Sequence, residues 1–139
     1  MSSITYGLLL SLSFLTSTPP SHDYADAYRV AMADSNRPLV VLVGADWCPA
    51  CRQMKQTVIP QIEEQGGLSK VAFATVNVDA DSTLAHELMD GGSMPQLVMF
   101  VRTDTGWQRT QLTGGQSASS VETFIAQGLD RPIATTASR

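Results

Sequence analysis

The sequence predicts an α/β domain, a central mixed sheet of about four strands lying between layers of helices. Three observations predict it. Short valine-rich runs such as "PLVVLVG" (38–44) are almost continuously apolar, as strands buried on both faces are. Segments with apolar residues at helical spacing separate these runs. The last two strand-like runs are joined by the turn "TDTG" (103–106), the mark of a hairpin. The order read along the chain is α-β-α-β-α-β-β-α. Strands separated by helices imply right-handed crossovers and a parallel core, to which the hairpin adds antiparallel pairing.

Each element has a local reason. The first helix follows Ser21 or Asp23, either of which can cap it. Tyr24, Ala27, Tyr28, Ala31 and Met32 form its apolar face, and Asn36 and Pro38 stop it. The run 38–44 is the first strand. A second helix carries Cys51, Met54 and Val58 at helical spacing. Pro60 should kink or break it, because a mid-helix proline removes a hydrogen bond and strikes the previous turn. "KVAFATVNVD" (70–79) is the second strand, and "DSTLAHELMDGG" (81–92) a short helix capped by Asp81 or Ser82 and stopped at Gly91. "PQLVMFVR" and "WQRTQLTGG" form the hairpin. The last helix is expected over Ser119–Gln127, with "SSVE" (119–122) as a capping box and Val121, Phe124, Ile125 and Leu129 as its apolar face.

A chain of 139 residues is one domain of ordinary size, and 43% hydrophobic against 16% charged residues supplies a real core. The formal charge of −4 and the lack of any Lys/Arg cluster exclude a nucleic-acid partner. The apolar run Tyr6–Leu15 is short for a bilayer-spanning helix, which needs about 20 residues, but has the length of a secretory signal's apolar region. No Lys or Arg precedes it, and Pro19 and Pro20 follow. Residues 1–20 are therefore expected to be a signal peptide, 21–130 the domain and 131–139 a flexible tail. The expected location is outside the cytoplasm, in a bacterial periplasm, with no stable membrane span in the mature chain. A cytoplasmic protein with an apolar tail is the alternative.

The chemistry lies in "ADWCPACRQMK" (45–55), which holds both cysteines of the chain. Two are too few for a disulfide-dense scaffold or a four-thiolate zinc site. Cys48 falls where a buried strand ends and a helix begins. Free N–H groups and the partial positive charge of a helix start favour a thiolate there. Cysteines so placed have pKa values of roughly 3.5–7.5, against about 8.5 for a free thiol. Cys51 lies one turn further on, within reach of Cys48, and should be the less exposed.

At these residues the chain resembles the thioredoxin superfamily. "GADWCPACRQMK" is similar to its active-site segment, with Trp47 directly before the first cysteine. "GGSMPQLVMF" is similar to its second landmark, a proline, normally cis, that precedes the third strand and faces the dithiol; here it is Pro95, after Met94. The resemblance covers about residues 22–129 and is nearest the exported, thioredoxin-like branch, with the initial edge strand missing or very short. It implies a three-layer thioredoxin-like fold and a protein-disulfide oxidoreductase. Cys48 would attack and Cys51 resolve. Trp47, Pro49, Ala50, Met94 and Pro95 would meet a protein substrate. No organic cofactor and no metal are implied. The partners would be protein disulfides or dithiols and a further redox protein, met by a monomer. The chain departs from thioredoxin in three ways. Leu42 stands where it has a buried Asp, Thr75 where that acid has a Lys partner, and Pro49-Ala50 in place of Gly-Pro.

Other readings of the pair are a structural disulfide, whose small loop would stabilise weakly, a zinc site and a copper site. Zinc lacks ligands, since His22 and His86 are distant in sequence. Thiolates suit Cu(I), so a thioredoxin-fold adaptor or copper-binding module is the rival function. Asp46 either holds the active-site turn or is a solvated acid. Asp79 and Asp81 read as strand-end and capping residues.

Overall fold

The computed structural model describes residues 21–131. The expected signal peptide and all but the first residue of the expected tail lie outside the described residues. Helix α1 (Tyr24–Ala33) leads into β1 (Leu39–Gly44). A helical stretch follows in three parts: α2 (Pro49–Gln53), a π turn (Met54–Val58) and α3 (Ile59–Glu64). Then come β2 (Ala72–Asn77), α4 (Ser82–Leu88), β3 (Gln96–Thr103), β4 (Gly106–Thr113) and α5 (Ala118–Leu129).

The sheet has four strands in the order β2-β1-β3-β4. β1 pairs with β2 in parallel and with β3 antiparallel, and β3 with β4 antiparallel. The mixed sheet is as expected, but its parallel core reduces to the single pair β1–β2. Strand β3 returns in the opposite direction after α4, so α4 is not a crossover between parallel strands.

Alternation along the strands sends side chains to two apolar layers. Val40, Leu42, Leu97 and Met99 meet Met54, Ile59 and Ile62 together with Val121, Phe124 and Ile125 of α5. On the other face Val41, Val43, Ala74 and Val76 meet Ala27 and Ala31 of α1 and Ala85 and Leu88 of α4. Only the two alanines of α1 are buried. Tyr28 and Met32, expected on its apolar face, are 46% and 45% exposed, because the two alanines and the half-buried Tyr24 make the contact and these two flank it. Among the described residues no strand precedes α1, and Thr75 N donates to His22 O at 2.9 Å, a backbone bond at the place an initial edge strand would take.

The caps follow the sequence with one correction. Asp23 and Asp81 accept from the backbone N–H groups of Asp26 and Leu84, each at 3.1 Å. The helix α3 closes with Gly67 N donating to Ile62 O at 2.9 Å and Gly66 N to Glu63 O at 3.0 Å. Gly66 sits at φ 77°, the left-handed turn that glycine enters without penalty. Gly91 is also left-handed, but α4 has already ended at Leu88, earlier than expected. Helix α5 is capped by Ser117, whose Oγ accepts from Ser120 N at 3.2 Å, and not by Ser119 of the "SSVE" pattern. Ser117→Ala should therefore cost about 1 kcal/mol of unfolding free energy, and Ser119→Ala much less. Urea denaturation of the two variants checks the assignment; equal losses would contradict it.

Pro60 does not break its helix. In a regular α-helix its ring would strike the carbonyl of Gln56. The preceding turn widens instead, with Ile59 N donating five residues back to Met54 O. Such π turns absorb one extra residue in a helix.

Candidate active site

The dithiol is built by the junction of β1 and α2. After Gly44 the chain turns through Ala45, Asp46 and Trp47, with Cys48 N donating to Ala45 O at 3.2 Å. Cys48 is the N-cap of α2, with extended backbone (φ −86°, ψ 117°), and Pro49 opens the helix. The sulfur of Cys48 accepts from Cys51 N at 3.3 Å, so the helix start donates a hydrogen bond to this sulfur. Cys48 and Cys51 are joined in a disulfide with Cα atoms 5.2 Å apart. Both are buried, Cys48 at 9% exposure and Cys51 at 5%, in the expected order but by a small margin.

Gly44 is required by close approach. A Cβ there would lie 2.9 Å from both Cβ and Sγ of Cys51, a short side chain with no free end to move away. Gly44→Ala should cost about 1–3 kcal/mol through overpacking. Chemical denaturation of the oxidised protein reads this directly, and an unchanged midpoint would mean that Cys51 can yield.

Across the dithiol lies the second landmark. The Met94-Pro95 peptide bond is cis. Met94 packs against Ala45, Cys48 and Cys51. Pro95 is fully buried, and its carbonyl accepts from Gly114 N at 2.8 Å. Among the described residues no backbone group bonds to the N–H or C=O of Met94. Trp47 is 63% exposed on the rim, and its Nε1 donates to Asp79 Oδ2 at 2.9 Å. Pro49 is exposed and Ala50 half-buried.

A cleft of about 410 Å³ also reaches Cys51; its walls include Leu42, Thr75, Asp46, Lys55 and Asn77. Leu42 and Thr75, the two departures from thioredoxin on the strands, are direct partners across β1 and β2. The polar groups here come from elsewhere. Asp46 Oδ2 accepts from Asn77 Nδ2 at 3.1 Å, and Asp46 Oδ1 lies 4.0 Å from Lys55 Nζ. Asp46 O accepts from Arg52 Nη1 at 3.0 Å. Asp46 thus both faces water and ties the turn after β1 to β2 and α2. Tyr24, also on the cleft wall, has its phenol pushed up by burial, with Tyr28 and Glu87 adding to the effect. It stays protonated at neutral pH and offers no base.

The site roles of three residues escaped the sequence reading, which took Asp79 only as a strand-end residue. Asp79 holds Trp47, and Asn77 holds Asp46. The third, Gln96, is completely buried at the start of β3 and bonds to the loop before Met94. The signal for Gln96 was present: one amide interrupts the apolar run "PQLVMFV". Among the described residues no three His, Cys, Asp or Glu side chains gather as a metal site would need. No helix among them is long and apolar enough to cross a membrane.

A four-stranded mixed sheet between helices, with a disulfide-forming Cys-x-x-Cys at the start of a helix and a cis Met-Pro bond whose methionine packs against it, defines a thioredoxin fold with a dithiol site. The thioredoxin family model matches residues 20–127, and the chain belongs to that family. Among solved structures it is similar to a thioredoxin from Thermus thermophilus, at 24% identity over 76% of this chain and 83% of that one, with a TM-score of 0.62. A thioredoxin from Malassezia sympodialis is 26% identical over 78% of this chain and 87% of its own, with a TM-score of 0.59. One from Fasciola hepatica is 22% identical over 77% and 95%, with a TM-score of 0.54.

Proposed function

We propose that the protein exchanges disulfides with protein partners, Cys48 attacking and Cys51 resolving. The observation that carries this reading is the Cys48–Cys51 disulfide at the first turn of α2, packed against Met94, in a chain of the thioredoxin family. In the reducing direction the Cys48 thiolate attacks one sulfur of a partner disulfide. The partner's other sulfur leaves as a thiolate and takes a proton. Cys51 loses its proton, attacks Cys48 and expels the second partner thiolate. The partner gains two electrons and two protons, and the dithiol becomes the disulfide. Run backwards, the same steps oxidise a partner.

Trp47, Pro49, Ala50, Met94 and Pro95 would meet the substrate, a reading supported by Ala50 and Met94 packing against the cysteine pair. The Met94 N–H and C=O suit pairing with an extended substrate segment, a short case of strand addition. Residues 1–20 would direct the chain out of the cytoplasm, which fractionation of cells making the full-length protein would test.

The experiment is reduction of insulin driven by dithiothreitol. The protein should shorten the lag before insulin precipitates, and Cys48→Ser should not. No effect of the wild type would favour a non-catalytic adaptor or copper-binding module. The reduction potential then gives the direction, with about −270 mV marking a reductant and about −120 mV an oxidant on the scale of family members.

A further inference from the structure

Gln96 is the polar residue that the described core buries completely, with 0% exposed. It begins β3, between Val43 of β1 and Thr113 of β4. Burying a side-chain amide is unfavourable unless its hydrogen bonds are made. Every partner it has among the described residues is a backbone atom of the loop Asp90–Ser93. Its Oε1 accepts from Asp90 N at 3.0 Å, and its Nε2 donates to Asp90 O at 2.8 Å and to Ser93 O at 3.0 Å. A fourth approach, to Gly91 O at 3.5 Å, is at the limit of a hydrogen bond. A primary amide has two N–H donors and a carbonyl, so this loop engages all of it.

Among the described residues no other side chain anchors this loop. Gly91, Gly92 and Ser93 are exposed, and Gly91 is left-handed at φ 76°. The chain thus folds back so that Gln96, just after Pro95, grips the backbone just before Met94. Met94 lies between two fixed points, Ser93 O held by Gln96 and Pro95 O held by Gly114 N.

We propose that Gln96 is a positioning residue that holds the Met94 backbone in register for an extended protein segment, and so sets affinity for protein disulfides over small ones. The proposal rests on the thiol–disulfide reading above. A disulfide too small to pair with Met94 should be indifferent to Gln96.

The test uses Gln96→Met, which keeps length and volume but makes none of these bonds. Insulin reduction gives KM and kcat. Loss of free thiols from the prereduced protein on adding hydroxyethyl disulfide gives the rate with a small substrate. The expected result is a KM for insulin raised about tenfold, with kcat and the small-disulfide rate within about twofold of wild type. Equal slowing with both substrates, or no change with either, overturns the proposal. Should Gln96→Met fail to fold by circular dichroism, Gln96→Glu, which can still accept from Asp90 N, is read in the same way. Failure of both to fold means that Gln96 serves the fold and also overturns it. A wild type inert toward both disulfides instead removes the functional reading, and this inference with it.

Discussion

Replacing Cys51 by serine is expected to turn the protein into a trap for its partners. Cys48 would still attack, because its sulfur accepts a hydrogen bond from the backbone N–H of residue 51, which serine retains. With no second thiol the mixed disulfide would persist. Cys51→Ser should therefore accumulate partner adducts that dissolve in dithiothreitol, while insulin turnover falls on the order of a hundredfold or more. Cys48→Ser should lose turnover equally and form no adducts. Mass spectrometry of non-reduced samples separates the two outcomes. Adducts on the Cys48→Ser variant and none on Cys51→Ser would reverse the assigned roles.

Leu42→Asp should have the second largest effect, and in two opposite senses. Leu42 is 3% exposed, lies opposite Thr75 and lines the cleft that reaches Cys51. In the thioredoxins this chain resembles, an acid at the matching position can take the proton from the second cysteine. Leu42 cannot, and a thiol in apolar surroundings with no base beside it releases its proton reluctantly. Resolution by Cys51 is therefore expected to limit turnover at neutral pH, and Leu42→Asp to speed release of a preformed Cys48 mixed disulfide. Stopped-flow measurement from about pH 6 to 9, bracketing the neutral range between ordinary carboxyl and thiol pKa values, compares the two proteins. Rapid, pH-independent resolution by the wild type would show that another group serves Cys51.

The same substitution should lower stability by a few kcal/mol, since it removes a buried apolar side chain and buries a carboxyl between Thr75 and Leu97 on the neighbouring strands. Burial raises the folded-state pKa of such a carboxyl above its unfolded value of about 3.9. The folded state then holds the proton at pH values where the unfolded state has lost it. Stability of the variant should thus fall, relative to wild type, as pH rises through about 4 and up to the folded pKa. Urea midpoints at acid and neutral pH measure the difference.

Much of this architecture was legible because few physical rules govern it. The run 38–44 reads as a doubly covered strand because nothing else accommodates five consecutive apolar residues between a helix stop and a glycine, and Leu39–Val43 are all buried. Cys48 at the head of a helix follows from that strand's end. The direction of β3 was not legible, since a seven-residue helix and a loop can return a strand either way. The cap of α5 was misplaced at Ser119 because the position two residues earlier, Ser117, is also a serine. A box pattern names the later serine, but the helix starts early enough to use the earlier one. Gln96 stood out as an amide in an apolar run, but what it holds was hidden for a different reason. Its partners are backbone atoms of a loop, and sequence patterns record side-chain types, not the backbone groups that fold beneath them. Asp79 and Asn77 likewise act across the gap between strand ends, on Trp47 and Asp46 about thirty residues earlier.

The π turn at Met54–Val58 bears on how this chain can change length. A regular helix turns by about 100° per residue, so one inserted residue would rotate the dithiol away from the face that carries Ile59 and Ile62. Here the wide turn takes up the spare residue, and Met54, Ile59 and Ile62 all remain in one core. Its outward residues, Lys55, Gln56 and Thr57, are exposed and contribute nothing to that core. Loss of one of them would restore a regular helix with both flanks still aligned, but would also bring the ring of Pro60 against a carbonyl. Deletion in this turn and replacement of Pro60 are therefore a coupled pair of mutations, the first tolerated best in the company of the second.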